Sequence, residues 1–170
     1  MIFGRHKSYG REAGSRVLST MQLAAMGTRL CKSGTFQPTI ELFMDSYVAD
    51  FVIGSVTASL TAAGGANWSV AKKGEFAMNA LGVIDTSDTL GKILRKELAV
   101  SSPDLFDEGR NDGTTYVLVI AKKLKLEDND QKLAMARDLV EFSGGLFDLP
   151  NAVLSVTLQL HLEKYWGGIE

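Results

Sequence analysis

Residues 47–63 are apolar almost all the way round a helix, interrupted only by Asp50 and the small hydroxyls Ser55, Thr57, Ser59 and Thr61. A helix without a polar face must be surrounded by other elements. The stretch is about the length of a short membrane span, but an unpaired carboxylate at Asp50 would be costly in lipid. It therefore reads as the central helix of a soluble core, and no membrane span is expected.

Neighbouring segments supply the surrounding elements. Over 9–32, Val17, Met21, Ala24 and Leu18, Ala25 recur at spacings of three and four, which predicts an amphipathic helix stopped by Gly34. Pro38 and Glu41 suit the first turn of a second helix running over 38–63 to Gly64-Gly65. Asn67 or Ser69 can cap a third helix to about residue 83, and Thr86 or Ser87 a fourth over 88–99. Ser102-Pro103-Asp104 is the sharpest start signal in the chain, a capping hydroxyl followed by proline at the first helical position. Residues 128–142 read as helix, with Gly144-Gly145 as the stop.

Two segments admit a second reading. Residues 114–121 are rich in β-favouring Thr, Tyr, Val and Ile, and over 153–163 leucines and valines alternate with polar residues at the two-residue period of a strand. As helices, the first would set Gly109 and Gly113 on one stripe, where another backbone can approach closely, and the second would follow Pro150 with Leu154, Leu158 and Leu162 one turn apart. The expected architecture is mainly α, a single-domain bundle of about six or seven helices over 1–170, with residues 1–8 a loose basic arm. The alternative is α+β, with strands near 114–121 and 153–163. At 170 residues with 45% hydrophobic content, one core is the natural outcome.

Charge is divided along the chain. The first thirty-seven residues hold six Lys/Arg against one acid, Glu12, although the whole chain sums to −2. This basic region lacks the unbroken apolar run of a secretory signal; it has some of the Arg/Ser-rich character of an organellar transit peptide, the plainer alternative being a solvated helix face. The lone Cys31 forms no disulfide within the chain, so a cytoplasmic setting is expected and Cys31 reads as a half-buried helical thiol. His6 and His161, near opposite ends, offer it no evident base.

Asp104, Glu108 and Asp112 would stack along one helix edge, and a divalent cation is one way to relieve their repulsion. Glu108, Asp112 and Asp45, with Glu41, are the candidate ligands of a magnesium or manganese site for phosphate-ester chemistry, although the tight Glu-x-x-Glu pairs of such enzymes are missing. The bland account is a helix N-terminus and a solvated face, with no cofactor. Asp50, inside the apolar helix, needs a cation; Arg110, between the two glycines, is the first candidate and Arg137 the second. No dinucleotide fingerprint, phosphate loop, nucleophile elbow or zinc-spaced Cys/His set is present. Nucleic acid is not an expected partner, since the chain is acidic overall and few aromatics adjoin the basic arm.

These features favour a non-enzymatic helical interaction or assembly protein that self-associates. Trp166, Arg11 and Arg16 are its candidate interface residues, and the basic N-terminal helix could meet an acidic protein. The alternatives are a metal-dependent phosphohydrolase-like enzyme and an α+β export or assembly chaperone.

Overall fold

In the computed structural model, the described residues are 5–26, 28–32, 35–36, 38–99, 108–121, 131–142, 144 and 149–167. They form α1 (Arg5–Ala24), a hairpin of β1 (Cys31–Lys32) and β2 (Thr35–Phe36), then α2 (Ile40–Met44), α3 (Ser46–Ala62), α4 (Val70–Ile84), α5 (Thr89–Ala99), α6 (Glu108–Ile120), α7 (Gln131–Phe142) and α8 (Leu149–Trp166). A 3₁₀ turn, Gly65–Asn67, joins α3 to α4. The protein is mainly α, with eight α-helices among the described residues.

The element at the centre is α3. Val48, Ala49, Phe51, Val52, Ile53, Gly54, Ser55, Val56 and Ala58 are all buried, as an element apolar on every side requires. Its closest neighbour is α6. Gly109 lies against the carbonyl of Tyr47 and Gly113 against that of Phe51, so close that a methyl group at either position would overlap the facing oxygen. Gly54 answers from the other side, against Arg110. The order of these contacts makes α3 and α6 parallel.

A second parallel pair, α1 with α4, is built in the same way. Gly10 meets the carbonyl of Phe76 and Gly14 that of Ala80. Met21, Ala24 and Ala25 then continue the buried edge of α1 into the common core, joined there by Phe76, Leu81, Ile84 and Leu90. The end of the bundle is closed by α8, which packs on α7, α1 and α6.

Several boundaries differ from the sequence expectation, each for a local reason. The helix expected over 38–63 is broken at Asp45, whose backbone is extended (φ −66°, ψ 120°). Its carboxylate accepts the Val48 N–H at 3.0 Å and so starts α3 afresh. Thr39, rather than Pro38, begins α2, accepting from Leu42 N at 3.2 Å. The first helix ends at Ala24 instead of continuing to residue 32: Thr28 bridges to Gly167, and Cys31 pairs with Phe36 in the hairpin. Cys31 thus lies on a strand, half-buried.

The loose arm expected over 1–8 is also corrected where it is described. Residues 5–8 are the first turn of α1, fastened to α4 by His6 Nε2, 2.5 Å from Glu75, and to the segment before α4 by the edge of the His6 ring against Trp68, 6.1 Å between centroids. Residues 1–4 lie outside the described residues, as do Gly34, the Ser102-Pro103-Asp104 start, residues 122–130 and Gly145. Ser69 caps α4 as anticipated, whereas the capping role ahead of α5 falls to Asp85, whose carboxylate accepts from Leu90 N at 2.8 Å.

Both disputed segments are helical, with Ala121 in the turn that follows α6. In α8 the alternation of leucine with polar residues does not mark two faces. Ser155 and Thr157 are as buried as Val156 and Leu158, and Thr157 satisfies its hydroxyl on the carbonyl of Val153 at 3.0 Å. Of the leucines, Leu160 points outward while Leu158 and Leu162 are fully enclosed. No helix among the described residues is long and apolar enough to cross a membrane.

Two measurements test this architecture. Gly113→Ala is expected to destabilise the fold by about 1–3 kcal/mol, because the new methyl must displace a backbone carbonyl. Gly82→Ala, on an open face of α4 with nothing within 4 Å, should stabilise it by about 1 kcal/mol. Urea unfolding of the two variants should move in opposite directions. The hydrogen bond from His6, with the Lys7 charge as a smaller contribution, holds the Glu75 carboxyl below its usual range. That stabilisation is complete above the ordinary carboxylate pKa and is lost as the pH falls through the depressed one. His6→Ala should therefore return the Glu75 carboxyl, followed by NMR, to its ordinary titration range and flatten the acid limb of the stability curve.

Candidate functional site

Where α3 begins, ionisable side chains from three other helices converge. Asp45, fixed by its capping bond, has both carboxylate oxygens 3.1 Å from Nε2 of His161 on α8. One turn into α3, Tyr47 stacks on the His161 ring with centroids 4.1 Å apart, and Tyr165 covers the ring at 4.6 Å. The Tyr47 hydroxyl donates to Asp112 Oδ2 at 2.8 Å, and the same oxygen accepts from Lys132 Nζ of α7 at 3.0 Å. Next along α3, Asp50 receives a hydrogen bond from the Arg110 guanidinium of α6.

This arrangement follows from the parallel pairing of α3 and α6. The two glycine contacts bring Tyr47 and Asp50 level with Arg110 and Asp112, at a depth where neither carboxylate is fully hydrated. Asp50 retains 14% of its side-chain exposure and Asp112 13%, so each needs a cation at hand. Arg110 and Lys132 supply them, and Tyr47 adds a neutral donor to the charged pair on Asp112. We call the whole arrangement a polar clamp, because it ties α3 to α6, α7 and α8 by side chains alone.

Each residue singled out in the sequence can now be placed. Asp50 and Arg110 face one another across the α3/α6 contact, while Arg137 extends from the exposed side of α7. Asp45 and Asp112 belong to the clamp but attend to different partners, His161 and Lys132. Glu108 is exposed in the first turn of α6, and Glu41 in α2. Among the described residues no three His, Cys, Asp or Glu side chains are grouped to hold a metal ion. Asp104 lies outside them.

Of the candidate interface residues, Arg16 pairs with Glu12 at 2.7 Å and Arg11 donates to Asn79 at 3.2 Å, both on the outer surface. Trp166 is half-buried, its ring 5.0 Å beneath the Arg29 guanidinium and its carbonyl accepting Arg29 N at 3.2 Å. That side chain thus closes the end of α8 against the segment leading into the hairpin.

Sequence reasoning left His161 with no carboxylate beside it and overlooked Lys132 and Tyr47. The partners lie 116, 20 and 65 residues apart along the chain, and no local spacing reports such pairings. The one available signal was chemical: a His on an otherwise apolar helix needs a polar partner, and the Asp nearest the central helix is a natural one.

The clamp predicts a non-additive response. Arg110→Met leaves a half-buried carboxylate uncompensated and should cost about 2–3 kcal/mol, whereas Asp50→Asn combined with Arg110→Met should recover part of that loss. Denaturant titration of the wild type, both single variants and the double closes the cycle, and strictly additive values would contradict the pairing. No family model, curated protein or solved structure matches this chain.

Proposed function

We propose that this chain is a non-enzymatic helical protein that acts by contact with other protein chains, in the first place a second copy of itself. The observation that carries this reading is the apolar surface beside the clamp. Met44, Leu160 and Tyr165 are 67%, 41% and 52% exposed. Met44 precedes Asp45 and Leu160 precedes His161 in the chain, and Tyr165 lies on the His161 ring. Large apolar side chains gathered around a polar centre are the surface composition of a contact site.

The clamp supports the same reading from the opposite direction. Asp45 and Asp112, two of the four carboxylates considered for a metal-dependent enzyme, are engaged by His161 and by Lys132 with Tyr47. The α+β chaperone reading required strands where α6 and α8 stand. Arg5, Lys7, Arg11 and Arg16, which an acidic partner would meet, are exposed on α1.

Sedimentation equilibrium across the micromolar range tests self-association. The wild type should associate, and Met44→Lys with Leu160→Lys, both at exposed positions, should weaken the association at least about tenfold, the effect of roughly 1.4 kcal/mol, without loss of helical circular dichroism. A wild-type chain that stays monomeric throughout, or a double variant that associates as well as the parent, overturns the reading.

A further inference from the structure

A cleft of about 330 Å³ opens where α1, the hairpin, α2 and the end of α4 meet, and it shares no residue with the clamp. Its volume is at the small end of the range of about 300–1,000 Å³ in which proteins hold small molecules. Leu18, Phe36, Ile40 and Phe43 give it apolar walls, Gln22 stands on its α1 side and Asp85 at the end of α4.

The lining decides the sign of the ligand. Among the described residues it contains one carboxylate, Asp85, and no Lys, Arg or His. Asp85 is 4% exposed, and the donors that hold it are neutral: Ser87 N at 2.9 Å, the Ser87 hydroxyl, and Leu90 N at 2.8 Å. They satisfy the oxygens as hydrogen-bond acceptors; the start of α5, which Asp85 caps, offsets part of its charge, and no cationic side chain among the described residues bonds to it. The C-terminal end of α4, with its partial negative charge, opens at the same place. Phe36 and Phe43 add aromatic rings, whose faces attract cations.

We propose that this cleft is a binding site for a small organic ammonium compound. The apolar body of the ligand packs against Leu18, Phe36 and Ile40, and its ammonium group sits toward Asp85 and the last carbonyls of α4. A carboxylate or phosphate ligand would meet the Asp85 carboxylate with no cationic side chain among the described lining residues. A neutral ligand of the same shape would gain the apolar contacts alone.

Three probes of matched shape separate these cases: phenethylammonium, 2-phenylethanol and phenylacetate, each titrated into the full chain and followed by backbone amide NMR. Phenethylammonium should give saturable shifts at the Leu18, Ile40 and Thr86 amides and bind about tenfold more tightly than the alcohol, with no saturation by phenylacetate. Gln22→Lys, an exposed substitution that places a cation in the lining, should weaken the ammonium probe about tenfold with helical content unchanged. Absence of saturable shifts at these amides, equal affinity for the alcohol, or an unchanged affinity in the Gln22→Lys variant would each overturn the assignment.

Discussion

Two helix pairs approach one another backbone to backbone, and the rest of the molecule is arranged around that closeness. In α3/α6 and in α1/α4, glycines one turn apart remove the side chains that would normally separate helices. Ordinary packing keeps helix axes about 8–10 Å apart because side chains fill the space between ridges. Here the facing surface is the carbonyl of the partner helix, and any larger residue must push the pair open.

Parallel pairing has an electrostatic cost, because it brings two helix N-termini, each with a partial positive charge, to the same level. At the start of α3 and α6 this is met by carboxylates: Asp45 caps α3, Glu108 lies in the first turn of α6, and Asp50 and Asp112 follow within a turn or so. The acidic ladder that resembled metal ligands in the sequence is better understood this way. Glu108 lies exposed in the first turn of α6, and Asp112 is engaged by Lys132 and the Tyr47 hydroxyl.

What could be read in advance follows the range of the interactions. Helices were legible wherever caps and periodicity agreed, as at Ser69 for α4. Gly109 and Gly113 announced a close contact because they fell four apart on one stripe of the helix expected there. Gly10 and Gly14 have the same spacing and the same role, but they lie among Arg, Ser and Glu, where no apolar stripe drew attention to them. The break at Asp45 was hidden because a carboxylate inside a helical pattern can equally cap a new helix or face solvent. The meeting of Asp45 with His161 depends on how α8 closes the bundle, which no window of the sequence contains. Alternation in α8 misled for a related reason: burial on all sides erases the link between polarity and face.

The α1/α4 pair treats its aligned N-termini differently. Arg5, His6 and Lys7 stand at the start of one helix and Lys72 and Lys73 at the start of the other, with Glu75 as the acid fastened among them. Side-chain charge and peptide dipoles therefore add rather than cancel, and this end of the pair sends out a positive field. Such a field reaches about 8 Å at physiological ionic strength and several times farther in dilute buffer. Its consequence is kinetic: it governs how often negatively charged bodies arrive in one orientation, before any short-range contact decides whether they stay.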